Sequence, residues 1–224
     1  LKFNYHHLES TDLAIIESDL ITKNKRIKTF KEYNSFLKNN KIFLDQAERK
    51  SKILKRFESI CKLKNYKENF DNKLLEEVTN IVDYPNVLLA DFNKDYLKIP
   101  SEIIISTLQG HQRYFPLFDK KDKLTNYFLV VANKTDSKNF IKEGNKRVIE
   151  ARLSDAKFFW DKNKTQNLVK QVGKLKNLSF FNQLGSFYDR TQRLRKLAGP
   201  VSDQLSLSKE KIEIAASICK SDLV

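Results

Sequence analysis

Two β-prone runs, Gln112–Phe118 and Leu124–Ala132, flank a polar pentapeptide, Asp119-Lys120-Lys121-Asp122-Lys123. This pairing constrains the fold more than any other feature. So short a polar connection joins antiparallel neighbours, whereas parallel strands need a crossover of a dozen residues or more. Pro116 lies inside the first run and has no N–H to give a ladder, so that strand is expected at an edge or a bulge. The second run is apolar through Tyr127–Asn133 and reads as a buried strand. A third run, Asn86–Phe92, is short and β-rich enough for another.

The surroundings of the hairpin read as helical. Residues 1–45 are mixed, with one short helix expected over Thr29–Lys38. Asp45, with Glu48 three residues on, resembles a capping box and opens a helix over Gln46–Leu63. Ile53, Phe57 and Ile60, widened by Leu54 and Cys61, form its apolar stripe, and Lys52, Lys55, Arg56 and Lys62 the opposite face. A helix over Leu74–Val82 is closed by Pro85. Pro100-Ser101-Glu102 begins another, running through Thr107 and expected to stop at Gly110. From Lys142 the chain is helical again, with Ile149, Leu153, Ala156 and Trp160 on its core face and Arg152 spaced to pair with Asp155. A weaker helix spans Val169–Leu178. Ser186 and Asp189 form a capping box for a helix with Phe187, Thr191, Leu194 and Ala198 inside, which Gly199-Pro200 should end at Ala198. The last helix follows Ser208 through Ile212, Ala215, Ala216 and Cys219. The fold class expected is therefore α/β (α+β), a mixed sheet with flanking helices followed by an all-helical segment. The change falls between Leu168 and Leu184, which places domains at 1–175 and 176–224.

Composition narrows the function. With 40% hydrophobic and 11% aromatic residues the chain is globular. No apolar run approaches the roughly 20 residues of a membrane span, and the first residues lack a secretory pattern, so a soluble, cytoplasmic protein is expected. Cys61 and Cys219 lack metal-ligand spacing and fit a reducing compartment. The chain begins at Leu1 and contains no methionine, which points to a piece of a longer protein. Against 28 Asp and Glu stand 42 Lys and Arg, a net charge of +14. Such an excess favours a polyanionic partner, because phosphate contacts release condensed counterions. A lysine-rich surface can equally be only solvated.

Residues suited to chemistry are few. His6 and His7 near Glu9 and Asp12 suggest a metal cluster, but adjacent histidines do not converge easily on one ion, and no metal site is expected. His111, in Gly110-His111-Gln112-Arg113-Tyr114, has no nucleophile and positioning carboxylate beside it. Gln112, Arg113 and Tyr114 offer amide hydrogen bonds, phosphate binding and base stacking, so RNA or subunit contact is favoured over catalysis. Arg190, Arg193 and Lys196 form a basic stripe at spacings of three. Five glycines leave nothing for a phosphate-binding loop.

In order along the chain, PSEIIISTLQGHQRYFPLFD, KLTNYFLVVAN, GNKRVIEARLSDAKFFWDKN, KLKNLSFFNQLGSFYDRTQRLRKLA and AASICKSDL resemble the beta subunits of two-subunit bacterial glycyl-tRNA synthetases. GHQRYFP and RLSDAKFF together are the specific part. The likeness is dense over Asp71–Val224 and weaker before, where FLDQAERKSKI is the best segment. Beta subunits are several-fold longer, so the resemblance implies an N-terminal region without the anticodon-recognition part. It implies a B3/B4-type domain holding GHQRYFP and ARLSDAKFFW, then the start of an HD-like helical domain after Leu184. A working HD hydrolase needs an adjacent His-Asp pair, and here the sequence is Lys220-Ser221-Asp222, with no histidine after His111.

By the same resemblance, an alpha subunit would activate glycine with ATP and magnesium in an assembly of two alpha and two beta chains. This chain would hold no cofactor and no catalytic residue, and would bind tRNA-Gly and support assembly. The tRNA-binding candidates are His111, Gln112, Arg113, Arg190, Arg193 and Lys196. Alternatives are a purely structural scaffold joining alpha to beta, and an editing domain hydrolysing mischarged tRNA. Glycine, the smallest amino acid, leaves little need for editing, since larger ones are excluded sterically.

Overall fold

The structure is a computed structural model and describes residues 4–6, 8–17, 22–68 and 70–224. The chain divides into two compact units, Leu1–Lys157 and Phe158–Val224.

The first unit opens with two antiparallel ribbons, β1 (Asn4–Tyr5) with β2 (Leu8–Glu9) and β3 (Leu13–Glu17) with β4 (Thr22–Arg26). β4 reads Thr-Lys-Asn-Lys-Arg and is exposed at every position, so no alternation marks it as a strand. His7 lies outside the described residues.

Three capped helices follow. The Thr29 hydroxyl accepts from the Glu32 amide at the start of α1 (Phe30–Asn39). The Asp45 carboxylate accepts from the Glu48 amide at 3.0 Å and opens α2 (Gln46–Lys64), which Asn65 ends in the left-handed region with φ 57°. Asp71 accepts from the Lys73 and Leu74 amides at the start of α3 (Asn72–Ile81). Each such cap contributes about 1 kcal/mol.

The central sheet has three strands in the order β5 (Asn86–Asp91), β7 (Leu124–Ala132), β6 (Phe115–Phe118). Every strand pairing in the described residues is antiparallel, which makes the unit α+β. The two conditions for Pro116 are both met: β6 is an edge strand, and its ladder slips register between Pro116 and Phe118. Part of that edge is covered by the Lys67 amide, which donates to the Phe118 carbonyl at 2.9 Å.

One face of the sheet packs on α2 and α3. Ile53, Phe57, Ile60 and Cys61 meet Leu74, Leu75 and Val78, with Val87, Phe115, Leu117 and Leu129 beneath them. Phe57 is wholly buried, its ring 4.6 Å from Phe70 and 4.7 Å from Phe115. Burial of one such ring contributes about 1.5–3 kcal/mol. Along β7 the side chains alternate, so Phe128 and Val130 point to the opposite face.

Between β5 and β6 runs α4 (Ser101–Ser106). It does not stop at Gly110 as the sequence suggested, but widens into a π turn over Thr107–His111. The Tyr114 amide donates to the Leu108 carbonyl at 3.0 Å and the Arg113 amide to Gln109 at 3.1 Å. Gly110 keeps a negative φ, and the left-handed residue that reverses the chain is Arg113, at φ 55°. Burial of Thr107 and Leu108 carries the helix past the glycine, so β6 begins at Phe115 rather than at Gln112.

The long helix α5 (Phe140–Thr165) starts on Asp136, whose carboxylate accepts from the Ile141 and Lys142 amides at 3.0 and 2.9 Å. Ile149 and Leu153 are fully buried, while Ala156 and Trp160 are only half-buried. The division between the units falls within this helix.

The second unit holds α6 (Leu168–Gln171), a 3-10 turn over Val172–Asn177, the ribbon of β8 (Ser179–Phe181) with β9 (Gly185–Ser186), α7 (Phe187–Gln204) and α8 (Lys209–Ile218). Gly185 is required at φ 80°: a Cβ there would meet Asp189 Oδ2 at 2.5 Å. The Ser186–Asp189 capping box is complete. Thr191 and Ala198 are buried and Phe187 and Leu194 half-buried, on the expected inner face.

Gly199-Pro200 does not stop α7, which continues to Gln204 with Pro200 inside it. Proline disfavours helical backbone in the preceding residue through a clash with that residue's Cβ, and Gly199 has none. Ser202 is buried beyond the proline and donates to the Gly199 carbonyl at 2.6 Å, so packing holds the last turn in place.

Candidate nucleic-acid interface

The first group of candidates sits where α4 gives way to β6. His111 and Arg113 are exposed, Gln112 is half-buried and Tyr114 is buried. The left-handed backbone at Arg113 turns the chain so that Tyr114 points inward. The Tyr114 ring stacks on Phe128, centroids 5.1 Å apart and planes 20° from parallel. It is therefore not free to stack on a base, as the sequence allowed. Its hydroxyl donates to Asn145 Oδ1, and Gln112 Oε1 lies 3.5 Å from the same hydroxyl. Asn145 is fixed from its other end, where Nδ2 donates to the Ile141 carbonyl at 2.6 Å. Burial pushes the Tyr114 pKa up, with the Arg152 charge opposing it, so the hydroxyl keeps its proton.

Two neighbouring cations are engaged. Arg113 Nε donates to Glu77 Oε1 at 2.5 Å, and Lys146 Nζ stands 3.1 Å from Asp91 Oδ2. The Lys146 ammonium pKa is raised, chiefly by the hydrogen bond to Asp91. A further tie runs from the Asn93 amide to Glu150 Oε1 at 3.2 Å. These links bind α5 to the sheet on the side of Phe128. Arg152 does not pair with Asp155 as its spacing suggested. It is exposed, with no carboxylate in ion-pair reach among the described residues. Sequence reasoning missed Asn145 and Arg152 as members of this group. Their separation of seven, two helical turns on one face, was the available signal.

The other candidates belong to the second unit. Arg190 is half-buried, its guanidinium carbon 4.2 Å from the centre of the Phe180 ring. Arg193 and Lys196 are exposed on α7. Their neighbour Arg195 is held 3.4 Å from Glu213 of α8. Arg190 is thus held in place by an aromatic face, and Arg193 and Lys196 are the solvated part of the stripe.

Elsewhere the charge is spread. Lys52, Lys55, Arg56 and Lys62 are exposed on α2, and Lys23, Lys25 and Arg26 on β4. Among the described residues no three His, Cys, Asp or Glu side chains converge as metal ligands, and no helix is long and apolar enough to cross a membrane.

Comparison with known proteins places the sequence in a family. The sequence profile described as glycyl-tRNA synthetase beta subunit matches residues 1–224. A glycine–tRNA ligase beta subunit of Thermodesulfovibrio yellowstonii is 39% identical over 193 residues, covering 85% of this chain and 28% of the relative. Its counterpart in Clostridioides difficile is 38% identical over 224 residues, 95% of this chain and 32% of the relative. One from Syntrophomonas wolfei is 33% identical across 100% of this chain and 33% of its own length. The chain spans about a third of the length of these relatives. It belongs to the glycyl-tRNA synthetase beta-subunit family.

Proposed function

We propose that this chain is a tRNA-binding and assembly region of the beta subunit of a glycine–tRNA ligase, with no catalytic centre of its own. In this reading an alpha subunit attaches glycine to tRNA-Gly using ATP and magnesium, two alpha and two beta chains assemble, and the enzyme works in the cytoplasm. The family match along the whole chain carries the reading. The net charge of +14 supports the tRNA-binding part, because each phosphate contact made by a cationic side chain releases condensed counterions. His111, Gln112 and Arg113 in the first unit, and Arg190, Arg193 and Lys196 in the second, are the proposed contacts.

The test is binding of the intact assembly to tRNA-Gly and to a non-cognate tRNA across a salt series. Steep weakening with salt, eased by Arg193→Gln with Lys196→Gln, is the expected result. Affinity that ignores both salt and these substitutions would refute tRNA binding by this region.

A structural role in joining alpha to beta has separate support. Leu197 and Val201 on α7 and Leu205 at its C-cap are large, apolar and exposed, which suits a protein partner better than a phosphate backbone. Substituting all three with serine should then weaken subunit association while leaving tRNA affinity per assembled complex unchanged.

A further inference from the structure

The hydroxyl of Tyr114 is the point at which the turn before β6 meets α5. From the turn before β6 come Tyr114 itself and Gln112, whose Oε1 is 3.5 Å from that hydroxyl. From α5 comes Asn145, which accepts the hydroxyl proton. Arg152 lies seven residues beyond Asn145 on the same helix face. At about 1.5 Å per residue it is about 10 Å further along the axis. Helical side chains lean toward the helix N-terminus, so the long arginine side chain reaches back along that face toward Asn145 and the turn.

The charges nearby differ in availability. Arg113 is occupied by Glu77 at 2.5 Å and Lys146 by Asp91 at 3.1 Å. Arg152 has no carboxylate in reach among the described residues, even though Asp155 stands one turn away on its own helix. That its charge is felt at the Tyr114 hydroxyl agrees with the direction of its side chain. The result is an exposed guanidinium on the face of α5 that carries Asn145, with no carboxylate in ion-pair reach among the described residues, and a half-buried Gln112 amide at the Tyr114 end of that face.

We propose that Arg152 and Gln112 together bind one phosphate of an RNA backbone, held in register by the Tyr114–Asn145 hydrogen bond. The proposal rests on the tRNA-binding reading above and names Arg152 as a contact that the sequence alone had assigned to Asp155. A guanidinium offers a phosphate two parallel N–H donors, and the Gln112 amide adds a donor from the turn. Tyr114 is a positioning residue: its hydroxyl is committed to Asn145 and touches no ligand. A phosphate contact carries no base information, so the site fixes the register of the RNA and not its sequence.

The experiment uses the intact protein and two transcripts, tRNA-Gly and a non-cognate tRNA, with affinity measured from about 50 to 200 mM salt. Arg152→Gln should weaken both transcripts alike, about tenfold at the low-salt end, and reduce the steepness of the salt dependence by about one unit. Arg147→Gln removes the same charge from an exposed position of α5 off this face and should have a much smaller effect. Gln112→Ala should also weaken binding, and its loss combined with that of Arg152→Gln should fall short of additivity, because both act on one phosphate. If wild type binds with a steep salt dependence but Arg152→Gln matches Arg147→Gln, the site is refuted and the wider reading survives. Full additivity of Arg152→Gln and Gln112→Ala also refutes a shared phosphate. If wild type binds neither transcript, this proposal falls with the reading beneath it.

Discussion

Replacing Tyr114 with phenylalanine removes one hydroxyl from the junction between the turn and α5 and leaves the ring in place. Tyr114 is 6% exposed, and its ring stacks on Phe128 in either variant. The lost hydrogen bond is worth about 1 kcal/mol net. Asn145 Oδ1 loses its donor, but Asn145 is half-buried and water can reach it, so the penalty of an orphaned acceptor stays at the low end of its range. Tyr114→Ala also loses the buried ring, about 3–5 kcal/mol, together with the stacked pair, about 0.5–1.5 kcal/mol. Native-state hydrogen exchange along the β6–β7 ladder reads both, since the local opening free energy sets the exchange rate. Tyr114→Phe should speed exchange about fivefold, the equivalent of 1 kcal/mol, and Tyr114→Ala by more than two orders of magnitude or to global unfolding. A phenylalanine variant exchanging like wild type would mean that the hydroxyl link to α5 contributes nothing. One exchanging like the alanine variant would mean that the ring contributes nothing.

Three further outcomes are expected. Pro200→Ala should stabilise the second unit by about 2–2.6 kcal/mol, because alanine removes a helix-interior penalty of about 3 kcal/mol and gives back about 0.4–1 kcal/mol of unfolded-state rigidity. A fall in thermal midpoint would show that the last turn of α7 needs the proline. The Asp189 carboxyl is held below the usual range by the Ser186 amide, then by its hydroxyl. A depressed native pKa stabilises above the unfolded value and is lost as pH falls through the native one; the N-terminus of α7 should therefore fray below the ordinary carboxylate range, as amide NMR would report, and Ser186→Ala should produce fraying at neutral pH. Finally, a maleimide should label Cys219 in the native protein and spare Cys61 until unfolding, as peptide mapping would show, since Cys219 is exposed and Cys61 is buried, with its thiol pKa pushed up chiefly by that burial.

The parts of the fold legible in the sequence are those where one local cause decides. The polar pentapeptide forces a hairpin whatever surrounds it, and the missing N–H of Pro116 sends its strand to the edge. Asp45, Ser186 and Asp189 hydrogen-bond to amides within three residues, so no tertiary information is needed. The errors occur where packing outweighs the local signal. Gly110 was expected to end α4, but burial of Thr107 and Leu108 carries the helix on and puts the reversal at Arg113. Gly199-Pro200 carries a strong stop signal, yet Ser202 is buried one turn later. β4 is missed for the opposite reason: all its positions are exposed, so no pattern records its pairing with β3.

The candidate interface follows the same division. Its residue types were legible in GHQRY, but their roles depend on which partner each finds across the fold. Tyr114 turns inward to Phe128 and Asn145, and so becomes a brace rather than a stacking platform. Arg113 is taken by Glu77, from a helix more than thirty residues earlier in the chain. Arg152 has an acid at pairing distance in sequence and leaves it unpaired. A non-glycine residue in the left-handed region costs of order 1 kcal/mol or more, and Arg113 adopts it three residues after Gly110, which could have made a left-handed turn with no such penalty. The surrounding structure determines that choice: the reversal at Arg113 brings Tyr114 under α5 and sets Gln112 beside its hydroxyl, whereas a reversal at Gly110 would place neither there. The strain at Arg113 thus accompanies a specific arrangement of the turn against α5, and the same arrangement leaves Arg152 as the uncompensated cation beside it.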